Sequence, residues 1–97
     1  MNNKLKDENI EFLFKSILQI KDFEECCDFF EDLCTITELK AIAQRLQVAK
    51  MLSENHVYSD IVKKTGASTA TISRVNRSLQ YGCDGYTAIF ERLKEND

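Results

Sequence analysis

From residue 7 onward, apolar side chains return every three or four positions, the spacing of a helix face, and no stretch alternates convincingly as a half-buried strand would. Ile10, Leu13, Phe14 and Ile17 make the first stripe and predict a helix from about Asp7 to Ile20, with Phe12 on the opposite side. Asp22, a good N-cap residue, opens a second helix. Phe23, Cys26, Cys27, Phe30, Leu33 and Cys34 line one face of it, Phe29 lies near the edge, and Glu24, Glu25, Asp28, Glu31 and Asp32 fall mostly elsewhere. Thr35 with Glu38 three residues on is a capping-box pattern, and it starts a third helix that runs to about Ser53. Ile36, Leu39, Ile42, Ala43, Leu46, Val48, Ala49, Met51 and Leu52 make that helix apolar over most of its circumference, which predicts burial on several sides.

After a turn at Glu54-Asn55-His56, a short helix is expected from about Tyr58 to Lys64, capped by Ser59 or its neighbour. Thr65-Gly66-Ala67-Ser68 is a tight turn, Ser68 caps a helix over about Thr69–Gln80, and Tyr81 to Gly85 breaks the chain. A last helix from Tyr86 to Lys94 carries Tyr86, Ile89, Phe90 and Leu93 on one side. The absence of proline and the presence of only three glycines favour the same all-α reading. Ninety-seven residues predict one domain, 1–97, with dimerisation helices over 1–54, a helix-turn-helix over 58–80 and a C-terminal helix over 86–95. Phe12 and the greasy third helix call for more cover than so short a chain supplies, which points to a homodimer.

Other features narrow the function classes. No run approaches the roughly 18 apolar residues of a membrane helix, and Met1-Asn2-Asn3-Lys4 lacks the apolar stretch of a signal peptide. The expectation is a cytoplasmic protein with no membrane partner. Cys26, Cys27, Cys34 and Cys83 form no CxxC, and His56 is the single histidine, so the thiols read as small core or interface residues and no metal site is expected. His56 has no evident catalytic partner and no phosphate loop is present, so no enzyme is expected. The net charge is −3, yet its distribution is uneven: −5 over residues 1–34, +4 over 35–80 and −2 over 81–97. A positive middle on an acidic body is the asymmetry of a DNA-reading unit.

That middle holds the informative stretch, Tyr58 to Leu79. It has a short helix, a glycine turn and a second helix, the layout of a helix-turn-helix. Ile61 and Val62 are expected to pack on Ile72, Val75 and Leu79, which share one face. On the opposite side Ala70, Ser73 and Arg77 cluster, with Arg74 beside them and no acid or bulky apolar group. Short polar side chains let a helix sit deep in the major groove, and Thr69, Thr71 and Ser73 can donate or accept at base edges. Ser59, Ser68, Lys63, Lys64 and Arg77 complete the candidate DNA surface, the cations as phosphate contacts that supply affinity rather than sequence information.

A second constellation surrounds Arg45, whose helical neighbours Ala41, Val48, Ala49 and Leu52 are small or apolar. A cation in such a setting needs an anionic partner. Thr71, Arg74 and Ser78 form a stripe to one side of the DNA face, and if the third helix lies alongside, Arg45 and Arg74 flank a cleft suited to a carboxylate. The alternative is a salt bridge from Arg45 to an acid of residues 22–32.

The stretch from Leu33 to Leu79, about half the chain, resembles the Trp repressor family and more closely its Trp repressor-related YerC/YecD branch. The resemblance rests on Thr35-Ile-Thr-Glu-Leu39, Arg45 and Gly66-Ala-Ser-Thr-Ala-Thr-Ile-Ser-Arg-Val-Asn-Arg-Ser-Leu79. It implies a six-helix intertwined dimer whose two recognition helices lie about one DNA turn apart, and a transcription regulator, a repressor, on double-stranded DNA. It also implies that Arg45 and Arg74 embrace a corepressor and that Thr35 and Ser78 are further pocket residues. Tryptophan or a similar small ligand is the effector implied, and no other cofactor is. Where tryptophan-binding relatives carry glycine after the recognition-helix arginine, leaving room for an indole, this chain has Val75. The competing function is a non-enzymatic protein-interaction module, with the acidic helix at 22–34 docking a basic partner and the helix-turn-helix serving only as scaffold.

Overall fold

The computed structural model describes residues 6–96, and among them it contains helices and no strand. In chain order they are α1 (Glu8–Ile17), α2 (Phe23–Leu33), α3 (Ile36–Ser53), α4 (Tyr58–Thr65), α5 (Thr69–Tyr81) and α6 (Gly85–Glu95). The chain divides into two compact units, one ending at Ile36 and the other beginning at Thr37.

In the first unit, local capping sets the helix starts. The Asp7 carboxylate accepts the Asn9 N–H at 2.7 Å and the Ile10 N–H at 3.2 Å. The Asp22 carboxylate accepts the Glu25 N–H at 2.8 Å, while Glu25 reaches back to the Lys21 N–H at 3.2 Å. Each bond satisfies a donor that the first turn of a helix leaves open. α1 is shorter than its apolar pattern suggests. After Ile17 the Gln19 and Ile20 N–H groups bond three residues back, to Ser16 and Ile17, and the helix tightens into turns. Phe29 and Phe30 meet edge to face at 5.5 Å. Yet α1 and α2 contain no fully buried residue, and Phe12 (73%), Leu18 (80%) and Phe23 (85%) stand in the open. Of the thiols expected in a core or an interface, Cys26 and Cys34 are half-buried and Cys27 and Cys83 are exposed.

The core lies in the second unit. Val48, Ala49 and Met51 of α3, Ile61 of α4, Ala67 of the turn, and Ile72 and Val75 of α5 are buried together, with Leu52, Leu79, Tyr86 and Phe90 packed against them. A fully buried Ile or Val contributes about 1.5–3 kcal/mol over an exposed one, so Ile61, Ile72 and Val48, all at 0% exposure, anchor α3, α4 and α5 to one another. The burial of α3 is narrower than its composition predicts. Its buried residues all fall in the second half, and Ile42 and Leu46 remain exposed because within this unit the buried core forms against the later turns.

Two left-handed residues stop helices. Asn55 (φ 66°) ends α3 in a Schellman arrangement, with its N–H on the Leu52 carbonyl and the His56 N–H on the Met51 carbonyl, both at 3.0 Å. Gly66 (φ 72°) ends α4, its N–H bonding the Val62 carbonyl at 2.9 Å. No helix of the described residues is long and apolar enough to cross a membrane.

Candidate nucleic-acid interface and adjoining cavity

α4, the Gly66 turn and α5 form the helix-turn-helix expected from the sequence. The turn is tied from several sides. The Thr65 hydroxyl donates to the Ile61 carbonyl at 2.7 Å and accepts the Ala67 N–H at 3.1 Å. Gln44 on α3 donates its side-chain amide to the Thr65 carbonyl at 3.1 Å. Ser68 then caps α5, its hydroxyl accepting the Thr71 N–H at 3.1 Å. The angle between the two helices is thus held by the Ile61–Ile72 core below and this bonded turn above.

Most of the candidate DNA residues come out on the open side. Ser59 in the first turn of α4, Lys63 and Lys64 in its last, and Ser68, Thr69, Ala70, Ser73 and Arg77 on and before α5 are all exposed. α5 contains no acid, and residues 58–81 carry Lys63, Lys64, Arg74 and Arg77 against the single acid Asp60. Two expectations are corrected. The N-cap of α4 is Val57 without a side-chain bond, so Ser59 is not the cap. Val62 is 37% exposed, because only Ile61 of the pair points into the core. Thr71 is half-buried and turned to the side of the helix, where its hydroxyl accepts from Ser68 at 3.1 Å.

Thr71, Arg74, Val75 and Ser78 of α5 face a cavity of about 580 Å³, walled opposite by Ala41, Ile42, Gln44, Arg45 and Leu46 of α3 and closed at one end by Tyr86 of α6. The cleft expected between Arg45 and Arg74 is therefore present, but Arg45 is exposed rather than buried, since its stretch of α3 has no covering helix in this unit. Neither arginine has an ion-pair partner among the described residues, where Lys15 pairs with Glu11 and the His56 ring lies 3.9 Å from the Glu54 carboxylate. Thr35 belongs to the first unit and is not among the residues lining the cavity. Val75, 2% exposed, is both core and cavity wall. Sequence reasoning missed Gln44 and Tyr86. Both reach the site through contacts between distant parts of the chain, and only the polar Gln44 beside Arg45 left a local trace. A second groove of about 760 Å³ runs between α3 and α6, with Leu46, Phe90 and Leu93 among its walls. Among the described residues no cluster of His, Cys, Asp or Glu is placed to hold a metal ion.

Residues 8–94 match a family model described as Trp repressor protein. A Bacillus subtilis (strain 168) protein described as uncharacterized protein YerC is 54% identical over 95 residues, 98% of this chain and 91% of that one. The crystal structure of a TrpR-like protein from Eubacterium eligens ATCC 27750 superposes with a TM-score of 0.90 at 62% identity, covering 96% of each chain. That of a candidate Trp repressor from Staphylococcus aureus gives a TM-score of 0.88 at 50% identity, over 94% of this chain and 91% of the other.

Proposed function

The chain belongs to the Trp repressor family, and from that premise we propose that it is a homodimeric, sequence-specific DNA-binding regulator of transcription, a repressor, that reads the major groove with α5. One observation carries the reading: the flank of Ala70, Ser73 and Arg77 is open to solvent and free of acids, and its side chains are short save for one arginine. A helix about 10–12 Å across fits a groove about 12 Å wide, and a face of short side chains lets it sit deep there. In this reading Thr69, Ala70 and Ser73 meet base edges. Lys63, Lys64 and Arg77 take phosphates, and Ser59 and Ser68 add hydroxyl contacts to the backbone. Thr71 serves the interface from its edge.

The dimer is supported by the lack of any fully buried residue in α1 and α2 and by Phe12, Leu18 and Phe23 standing exposed, apolar surface of the kind that marks an interaction site. Two reading heads in a symmetric dimer call for a palindromic site. The cavity of Arg45, Arg74 and Ser78 is the place for a small carboxylate effector of the kind tryptophan represents, with Val75 reducing the room for an aromatic ring. The protein acts in the cytoplasm, where the DNA is, and as a binder rather than a catalyst.

Anisotropy titrations of a fluorescent duplex over a range of salt test the reading. Lys63→Ala, Lys64→Ala and Arg77→Ala should each weaken binding on every sequence and lower the log–log salt slope by about 0.9. Binding indistinguishable from the parent in all three variants would overturn the DNA reading and favour the scaffold alternative.

A further inference from the structure

Resting on the reading of α5 as the helix that enters the groove, we propose that Gln44 is the positioning residue that sets the tilt of the reading head on α3, and through it the half-site spacing that the dimer accepts. Its side-chain amide donates to the Thr65 carbonyl at 3.1 Å, across 21 positions of sequence. The partner is a carbonyl, so only a side chain that carries a donor can make this bond. That carbonyl belongs to the last residue of α4, where a helix leaves acceptors without an intrahelical donor. Both residues are half-buried and belong to the second unit of one chain, so the bond needs no partner subunit.

The bond completes a two-point attachment. Gln44, Val48 and Met51 stand at i, i+4 and i+7, one stripe of α3. Val48 and Met51 meet the head through the core they share with Ile61, Ile72 and Val75. Apolar burial is non-directional, so that contact holds the head close to α3 more firmly than it fixes its angle. A hydrogen bond one turn away weakens steeply when bent, and so supplies the angle. It fastens at Thr65, whose hydroxyl bonds the Ile61 carbonyl and the Ala67 N–H. Three residues on, Ser68 caps the start of α5, the end that enters the groove. A tilt released at Thr65 therefore moves Thr69 and Ala70. In a two-headed dimer such a movement changes the distance between the reading helices, which half-site spacing registers. Phosphate contacts from long cations adapt to a small tilt, whereas contacts to base edges do not.

The test uses the full-length protein with three duplexes: a palindrome that the parent selects from a random pool, the same palindrome with one base pair inserted at its centre, and a shuffled sequence. Gln44→Met keeps the length of the side chain and removes the donor. Gln44→Glu puts an oxygen that repels the carbonyl in its place. Each should keep the parent's circular dichroism, lose about tenfold or more on the selected duplex and stay within about twofold of the parent on the shuffled one. The insertion should cost the parent about tenfold or more and the variants about threefold or less. A side chain that only stabilised the fold would lower Tm and leave the insertion cost unchanged. An unchanged ratio of selected to shuffled affinity, or an unchanged insertion cost, in either folded variant would overturn the proposal. Nitrogen-15 relaxation of the Gln44 side-chain amide in the free parent needs no variant. Its order parameter should exceed about 0.6, and a lower value, that of a flexible group, overturns the proposal as well. If the parent selects a duplex and the variants behave like it, only the role of Gln44 is lost. If the parent selects none, the regulator reading falls and this inference with it.

Discussion

The hydroxyls of Ser68 and Thr71 lie 3.1 Å apart, with Ser68 donating, and they serve two different surfaces. Ser68 closes the N-terminus of α5, where Thr69 and Ala70 face outward, by accepting the Thr71 N–H. Thr71 lines the cavity. A ligand that engages the Thr71 hydroxyl therefore touches the group that holds the start of the reading helix. In the proposed regulator ligand and DNA would then share one set of side chains, and any preference of the ligand for one arrangement of that cap would shift DNA affinity by the same factor that DNA shifts ligand affinity.

Ser68→Ala removes the cap and should cost about 1 kcal/mol, with Ser68→Gly costing only a few tenths. Urea denaturation of the three proteins measures the difference. Equal midpoints for the parent and the alanine variant would show that the bond contributes nothing.

Val75→Gly withdraws a fully packed side chain and places glycine inside α5, and should lower stability by about 3 kcal/mol. The same change enlarges the cavity beside Arg74. Calorimetry should therefore detect tryptophan binding to the variant and not to the parent, provided it is run well below the lowered Tm.

Two glycines should respond differently to alanine. At Gly66 an added Cβ meets no atom within 4 Å, so the cost is the left-handed backbone alone, about 1 kcal/mol. At Gly82 the new Cβ would collide with the Ser78 carbonyl, a backbone atom that cannot swing aside. Gly82→Ala should lower Tm more than Gly66→Ala and fray the last turn of α5, visible as faster amide exchange there.

Phe12→Asp and Phe23→Asp should convert a dimer to a monomer in sedimentation equilibrium and lower Tm together with it. In an isolated chain both rings are largely in solvent, and such substitutions would change stability by no more than about 0.5 kcal/mol.

Ser73→Glu should abolish duplex binding while leaving Tm close to that of the parent. Its side chain is exposed on the reading flank and no core residue depends on it.

What the sequence made legible was decided within a few residues. Asp22 and Ser68 cap as their positions predict, because an N-cap bond spans only three residues. The shared face of Ile72 and Val75 follows from helical spacing and meets Ile61 as expected. Arg45 and Arg74 were brought to one cavity by pattern and family resemblance together. The failures concern which apolar surface is covered. Ile42 and Leu46 look as buried as Val48 in the sequence, and only the placement of α4–α6 separates them. Val62 was assigned inward beside Ile61, but a helix of 8 residues has too few turns for its pattern to resolve one face from its border. Tyr86 reaches the cavity across a chain break whose geometry, with Asp84 at φ 60°, has no local signature.

No residue of α1 or α2 is fully buried within one chain. Such a segment has no interior of its own to set against the entropy of ordering it, about 1–2 kcal/mol per residue for the backbone alone. In the proposed dimer its order would be lent by a neighbour met in solution, so folding and encounter would become a single event whose equilibrium carries a concentration term. Melting temperature should climb as the protein is concentrated, and dilution should loosen the N-terminal third first. In a cell the number of copies would then govern how much competent regulator exists as well as how often a site is filled, so occupancy would rise more steeply than copy number.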